Sequence, residues 1–240
     1  MKNHTIYCPV RNKALDYATA NLPISTAPGD QVTHLLLPIP SFAPDGSIRG
    51  GGDLKAILSV LPAEIIIIGG NLHHAALSGY KTIDLLEDPV YVTENADITA
   101  RCALKLLLDC LPCTLKGCPI LILGWGRIGK CLARLLRAND ALITVYARKE
   151  ADRALLNALG YMTQSDPDPI GFRAVINTAP AMLLPDCPED IFKMELSSVI
   201  GIGGKDVLWA KGLPAIHAPE SSGKLIADSI YRLLEKEEHL

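Results

Sequence analysis

The stretch KGCPILILGWGRIGKCLARLLRAND, Lys116 to Asp140, joins an apolar run to an amphipathic helical pattern through three glycines. The run ends at Leu123, and Gly124, Gly126 and Gly129 follow it. A G-x-G-x-x-G motif that follows a strand and opens a helix is the dinucleotide-binding fingerprint in its required context. Its first glycine permits a tight turn, its second lets a pyrophosphate approach the backbone, and its third lets the helix lie close to the strand. The alternative is an ordinary turn between a strand and a helix.

The helix of this unit would present free N–H groups and the positive end of its dipole to the phosphates. The residues predicted to contact the cofactor here are Gly124, Trp125, Gly126, Arg127, Ile128 and Gly129.

The end of the next predicted strand indicates which dinucleotide is bound. NAD-binding units place an acidic residue there, about 20 residues after the glycines, to bind the ribose hydroxyls. In this chain the stretch TVYARKEADR places Ala147, Arg148 and Lys149 at that position. A guanidinium binds a 2′-phosphate through paired charge-assisted hydrogen bonds, so NADP(H) is favoured over NAD(H). Glu150 and Asp152 are predicted in the first turn of the following helix, where acidic residues interact favourably with the helix dipole.

Two later segments are predicted to lie beside the nucleotide. AVINTAP ends a predicted strand with small residues, and SSVIGIGGKD supplies glycines that suit close backbone approach at the nicotinamide end. The residues predicted to contribute are Asn177, Thr178, Ala179, Pro180 and Gly203. The alternative for the first segment is a plain turn imposed by the proline.

The composition excludes several classes of protein. Of the 240 residues, 49% are hydrophobic, which is enough for buried sheets, and the net charge of −3 gives no reason to expect nucleic acid. No apolar run approaches the roughly 20 residues that cross a bilayer. Seven cysteines are an odd number for a disulfide framework, so reduced thiols in a cytoplasmic protein are expected.

Short apolar runs alternate with helical patterns along most of the chain, which predicts parallel α/β architecture. We expect two doubly wound lobes, a smaller flavodoxin-like N-terminal lobe and a Rossmann domain, with a ligand cleft between the carboxyl edges of their sheets. The predicted ranges are 1–94 for the first lobe, 95–111 for a linking helix, 112–217 for the Rossmann domain and 218–240 for a last segment that packs back on the first lobe. Beyond the opening unit, the strands are predicted at Thr5–Cys8, Val32–Leu37, Ile65–Ile68, Leu142–Tyr146, Ala174–Asn177, Val199–Ile202 and Ala215–His217.

Several segments in this order resemble the family formed by the A subunits of dipicolinate synthase in spore-forming bacteria. They are LKGCPILILGWGRIGKCLARLL, VYAR, INTAPAMLL, GLPAIHAPESSGKLIADSIYRLL and, in the first lobe, LLLPIPSF. The resemblance implies a fold related to the D-2-hydroxyacid dehydrogenases and an NADP-linked oxidation of dihydrodipicolinate, or its hydrated form, to pyridine-2,6-dicarboxylate. The implied partners are a small dicarboxylate substrate and a flavoprotein-like B subunit. Further copies of the same chain are also expected.

The sequence departs from the family pattern at three places. The linking helix of the family begins with Pro-Thr-x-Glu-Gly, and in this chain Arg101 stands at the position of the glutamate. The segment ELSSVIGIGG lacks a proline, and the first lobe lacks a glycine-rich turn. Two alternatives therefore stay open: another enzyme of the D-2-hydroxyacid dehydrogenase type, or a nucleotide-binding partner subunit without turnover.

A dicarboxylate substrate requires cationic and hydroxyl partners, and its oxidation requires a base. The candidate substrate-binding residues are Ser41, Arg49, His73 and Ser221. His217, at the end of the last predicted strand, is the candidate for proton transfer. Ser221 and Ser222 are also expected to cap the last helix. His73 and His74 are neighbours that point in different directions, so they cannot share a metal ion, and no metal site is predicted.

Overall fold

A computed structural model describes residues 4–238 of the chain. These residues form two compact units: the first contains the chain up to Asn95 together with the segment from Pro214 onward, and the second contains Ala96–Leu213. Each unit is built around one sheet whose strands are all parallel. The predicted fold class, two parallel α/β lobes, is confirmed. In the described residues no helix is both long and apolar enough to span a bilayer.

The sheet of the first unit has five strands in the order β2-β1-β3-β4-β5. They are β1 (Ile6–Tyr7), β2 (Ile24–Ser25), β3 (His34–Leu36), β4 (Ile66–Gly69) and β5 (Lys81–Asp84). Its helices are α1 (Lys13–Thr19), α2 (Leu54–Ser59), a 3₁₀ turn (Ala75–Leu77) and, after the second unit, α6 (Leu213–His217) and α7 (Pro219–Glu238). Leu35 and Leu36 of β3 and Ile67 and Ile68 of β4 are fully buried, as expected for a parallel sheet covered on both faces.

Helix α7 packs against α1 within the first unit. Gly223 makes the contact close, because a Cβ atom there would overlap the carbonyl oxygen of Ala14. Further along α7, Arg232 donates two hydrogen bonds to the carboxylate of Asp88, at 3.3 and 2.5 Å. Burial alone would raise the pKa of Asp88, but these bonds, the N–H of Tyr91 and the nearby positive charge hold that pKa below its usual value. The ion pair thus attaches the C-terminal segment to the first unit.

The sheet of the second unit has six strands in the order β11-β10-β9-β6-β7-β8. They are β6 (Pro119–Leu123), β7 (Leu142–Tyr146), β8 (Met162–Gln164), β9 (Ala174–Asn177), β10 (Phe192–Glu195) and β11 (Val207–Trp209). Its helices are α4 (Arg127–Arg137) and α5 (Glu150–Ala158), and α3 (Pro89–Cys110) contains the boundary between the units. If β6 is numbered 1, the strands lie in the order 3-2-1-4-5-6 that is typical of dinucleotide-binding folds. The strands remain parallel, but the order in which the chain adds them changes side between β6 and β9, and this place is the switch point of the sheet.

Two predicted strands are wrong. Residues 199–202 form a loop, and the strand in this region is β10, which ends at Glu195. Lys193 and Glu195 make β10 look half-exposed in the sequence, yet both are buried, at 1% and 0% exposure. Residues 215–217 lie in the helix α6. The strand prediction failed because a short apolar run is equally compatible with a helical turn. The long helix α3 also begins earlier than predicted, with Pro89 at its first position, where proline is tolerated.

Candidate functional site

The glycine loop connects the carboxyl end of β6 to the start of α4. Gly124 has φ +106°, a conformation that residues with a Cβ rarely adopt. Its N–H donates to the carbonyl oxygen of Tyr146 at the end of β7, at 3.0 Å. A Cβ on Gly124 would lie 2.8 Å from the hydroxyl of Thr178. Both the conformation and the packing therefore require glycine at this position.

The other two glycines of the loop have opposite surroundings. A Cβ on Gly129 would lie 2.5 Å from the carbonyl oxygen of Gly124 and 3.0 Å from the hydroxyl of Thr178, so α4 lies directly on the loop. A Cβ on Gly126 would meet nothing within 4 Å. Gly126 is also the N-cap of α4, and no side chain caps this helix. The first turn of α4 therefore has free backbone N–H groups beside open space, which fits a bound phosphate.

The loop after β9 is bonded to the glycine loop. The Thr178 hydroxyl donates to the carbonyl oxygen of Leu123 at 3.0 Å, and the Thr178 N–H donates to the same oxygen at 2.8 Å. Asn177 is fully buried, and its side-chain oxygen accepts from the N–H of Ala179 at 3.0 Å. The predicted residues Asn177, Thr178 and Ala179 are thus held by hydrogen bonds in a loop at the switch point of the sheet.

A buried carboxylate that was not among the predicted site residues holds this loop in place. Glu195 ends β10 beside Asn177 and is fully buried. Its two oxygens accept from the Asn177 side-chain nitrogen at 2.8 and 3.0 Å, from the N–H of Ser197 at 2.9 Å and from the N–H of Gly201 at 2.7 Å. Hydrogen bonds from several donors are what allow a carboxylate to be buried. Glu195 therefore joins the loops that follow β9 and β10.

Gly203 has a different environment from the one predicted at the nicotinamide end. Its N–H donates to the carbonyl oxygen of Leu184 at 2.7 Å, and a Cβ would overlap the backbone of Pro185. The glycine is therefore needed for contact between two loops of the chain itself.

The turn after β7 exposes the two cations predicted to recognise a 2′-phosphate. Arg148 is exposed, and Lys149 is the N-cap of α5. Glu150 and Asp152 lie in the first turn of α5, as predicted. The guanidinium of Arg153 donates to the carbonyl oxygens of Ala147 and Arg148, at 2.7 and 2.9 Å, and so fixes the turn. Nothing in the sequence pattern identified Arg153 for this role.

The side chain of Trp125, between the first two glycines, packs against two other side chains of the second unit. Its ring contacts that of Tyr161 edge-on, with centroids 5.7 Å apart, and the ammonium of Lys130 lies 5.8 Å from the indole centroid. In the described part of the chain the buried indole nitrogen has no hydrogen-bond partner.

The structure assigns two predicted residues of the first unit to local contacts. Ser41 is fully buried; its hydroxyl donates to the carbonyl oxygen of Pro38 at 2.8 Å and accepts from the N–H of Gly70 at 3.1 Å. This is a structural role, which a strand-end position alone does not reveal. Arg49 is exposed, and its Nε donates to the carbonyl oxygen of Phe42 at 2.9 Å.

The remaining predicted residues are His217 and Ser221, which lie elsewhere than expected, and His73, which follows β4 as expected. His217 is exposed at the end of α6, so the strand-end argument for proton transfer no longer applies to it. Ser221 and Ser222 lie inside the first turn of α7, which begins at Pro219, and neither is its N-cap. His73 is exposed and forms an ion pair with Glu87, at 3.2 Å.

A cavity of about 620 Å³ lies at the opposite edge of the second sheet. Its walls include Cys118 and Pro119 at the start of β6, Arg173 before β9 and Ile191 before β10. Ligands of open α/β sheets bind at the carboxyl ends of the strands. The glycine loop, rather than this cavity, is therefore the candidate nucleotide site.

Comparison with known proteins agrees with the resemblance seen in the sequence. No protein-family model matches the chain. The A subunit of dipicolinate synthase from Bacillus subtilis (strain 168) is 25% identical over 242 aligned positions, which cover 88% of this chain and 80% of that protein. The chain resembles this A subunit. The predicted resemblance is thus confirmed.

Solved structures show the same fold. The A subunit of dipicolinate synthase from Bacillus halodurans gives a TM-score of 0.79 at 19% identity, over 97% of each chain. The corresponding Bacillus subtilis structure gives 0.78 at 20% identity, over 100% of this chain and 98% of that one. A D-isomer-specific 2-hydroxyacid dehydrogenase from Polaromonas sp. JS6 66 gives 0.54 at 13% identity, over 97% of each chain. The chain therefore shares its fold with the two A subunits and is similar in fold to this dehydrogenase.

Proposed function

We propose that this protein is an NADP(H)-dependent oxidoreductase that oxidises dihydrodipicolinate, or its hydrated form, to pyridine-2,6-dicarboxylate. The observation that carries the proposal is the uncapped first turn of α4 behind Gly126, at the switch point of a Rossmann sheet. The similarity to the A subunit of dipicolinate synthase supports the choice of substrate. We further propose that the chain works as a homo-oligomer with a flavoprotein-like B subunit.

The residues of the second unit fit a dinucleotide. The loop from Gly124 to Gly129 and the first N–H groups of α4 would hold the pyrophosphate. Arg148 and Lys149 would hold the 2′-phosphate, which is why NADP(H) is proposed rather than NAD(H). When bound, NADP⁺ would supply the acceptor for the hydride that leaves the substrate ring together with one proton, and the hydrated form would also release one water. Asn177 and Thr178 would support the cofactor side of the site through the hydrogen bonds described above.

Arg148→Asp is expected to weaken the binding of NADPH by about 100-fold and to change that of NADH little. The variant removes a charge-assisted hydrogen bond, worth about 1.5–3 kcal/mol, and places a carboxylate beside the 2′-phosphate. Fluorescence titration with both cofactors measures the effect. Arg173→Asp is the matched control, because Arg173 is an exposed arginine at the other edge of the same sheet. An unchanged NADPH affinity of Arg148→Asp would refute the phosphate assignment.

The reaction itself is tested with freshly generated dihydrodipicolinate and NADP⁺, supplied to the purified protein with and without the B subunit of a dipicolinate synthase. Pyridine-2,6-dicarboxylate is expected to appear with an equal amount of NADPH. No product from protein that binds NADPH in the same tube would overturn the proposed reaction and leave the cofactor assignment standing.

One observation favours a second candidate, a nucleotide-binding protein without turnover. Arg101, where the family has an acid, donates to the carboxylate of Asp97 at 2.7 Å, and Asp97 also accepts from Arg134 of α4 at 3.2 Å. This ion pair raises the pKa of Arg101 further above its already high value. The position is therefore used for contacts within the second unit rather than for proton transfer. Cofactor binding without product, whether or not the B subunit is present, would select this candidate.

A further inference from the structure

An imidazole and two carboxylates meet at the carboxyl edge of the first sheet. The ligand atoms of His73, Asp84 and Glu87 lie within 4.8 Å of one another. The Nε2 atom of His73 is 3.2 Å from a carboxylate oxygen of Glu87. We propose that these three residues bind one divalent first-row transition-metal ion of the Zn²⁺ and Co²⁺ class. The proposal is independent of the oxidoreductase function, because all three residues belong to the first unit.

Backbone hydrogen bonds fix the central ligand and relate it to the other two. Asp84 is the last residue of β5. One of its carboxylate oxygens accepts from the N–H of Leu72, directly before His73, and the other accepts from the N–H of Leu86, directly before Glu87, both at 2.8 Å. Each oxygen keeps a lone pair for a metal ion. The Asp84 carboxylate therefore holds together the two loops that carry the remaining ligands.

The chemistry of the three ligands selects the class of ion. Two carboxylates and a neutral imidazole balance the charge of a divalent cation. Imidazole nitrogen suits zinc, cobalt and nickel, whereas magnesium and calcium prefer oxygen alone. Bond lengths of about 2.0–2.2 Å would bring the ligand atoms to roughly 3–4 Å from one another. The side chains of His73 and Glu87 are 80% and 65% exposed, so they can move inward by rotation without disturbing the core.

The neighbouring histidine is held away from this cluster. The Nδ1 atom of His74 accepts from the N–H of Ala76 at 3.1 Å. Its ring stacks on Phe42, with centroids 4.6 Å apart. His74 therefore offers a matched control: it is the next residue along the chain and the same residue type, but it is engaged elsewhere.

Titration of the purified, reduced full-length chain with Co²⁺, followed by visible absorption, tests the proposal. We expect one ion to bind with d–d bands typical of nitrogen and oxygen ligands and without a sulfur-to-cobalt charge-transfer band, and Zn²⁺ to displace it. His73→Ala and Glu87→Gln are each expected to lower the affinity by at least about 10-fold, since even loss of a residue that only orients a ligand has this effect. His74→Ala is expected to bind like the unaltered chain.

Four outcomes would overturn the proposal: no saturable binding, binding that survives His73→Ala, a charge-transfer band that reveals cysteine ligands, or an equal preference for Mg²⁺. Circular dichroism of each variant checks its fold, and the exposure of both altered side chains gives no reason for unfolding. Two variants at two positions keep the test decisive even if one of them proves unstable.

Discussion

Replacement of Glu195 by alanine is expected to lower the free energy of unfolding of the second unit by about 3–5 kcal/mol. The change removes the acceptor of the buried N–H groups of Ser197 and Gly201 and of the Asn177 amide, and it leaves a cavity. A buried donor without a partner costs about 1–3 kcal/mol. Glu195→Gln is expected to cost less, because its carbonyl oxygen can still accept hydrogen bonds. It still destabilises the unit, because its NH₂ group faces N–H donors instead of an acceptor.

Urea unfolding followed by tryptophan fluorescence measures this loss in the second unit. Both tryptophans of the chain, Trp125 and Trp209, lie in that unit. Glu189→Ala is the matched control, because Glu189 forms an exposed ion pair with Lys205 at 2.9 Å, and exposed pairs contribute less than about 1 kcal/mol. Equal losses for the two glutamates would contradict the structural role of the buried carboxylate.

Gly129→Ala is expected to destabilise the second unit by about 1–3 kcal/mol and to abolish measurable NADPH binding. The new methyl group would lie 2.5 Å from the carbonyl oxygen of Gly124, which is backbone and cannot rotate away. Either α4 or the glycine loop must then move, and the N–H groups that would bind the pyrophosphate move with it. Urea unfolding and titration of the tryptophan fluorescence with NADPH measure the two effects.

Gly126→Ala is the matched comparison for Gly129→Ala, with the opposite balance of effects. A methyl group here meets nothing within 4 Å, and the backbone φ of −80° accepts alanine. The stability should change by less than about 1 kcal/mol. The affinity for NADPH should nevertheless fall at least about 10-fold, because the methyl group occupies the space proposed for the pyrophosphate. If this variant bound NADPH normally, the phosphate could not lie at the first turn of α4.

Two strands of the second unit were predictable because their signals are local. Leu142–Tyr146 and Ala174–Asn177 were predicted with the bounds that the structure has. Each of these strands is a continuous apolar or β-branched run that ends in a turn signal. The role of Gly124 was equally accessible, since a strand followed at once by a helix demands a tight turn. The positive φ of this glycine confirms that demand.

The strand β10 could not be recognised in this way. Its sequence, FKME, alternates apolar and charged residues, which predicts a half-exposed strand or a loop. Burial of Lys193 and Glu195 becomes possible only when other parts of the chain supply partners: the carbonyl oxygen of Pro188 for the ammonium, at 2.7 Å, and Asn177 for the carboxylate. A sequence pattern does not contain these partners.

The sequence by itself determined the α/β class, the glycine loop and the cations after β7, because each depends on residues that are adjacent in the chain. Tertiary structure alone decided that Glu195 joins two loops, that Ser41 is buried, and that His73 faces Asp84 and Glu87 while His74 does not. These outcomes depend on which strand ends meet at one edge of a sheet. The physical reason is that burial and hydrogen-bond partners are properties of the packed chain, whereas turn geometry and helix polarity are properties of a few consecutive residues.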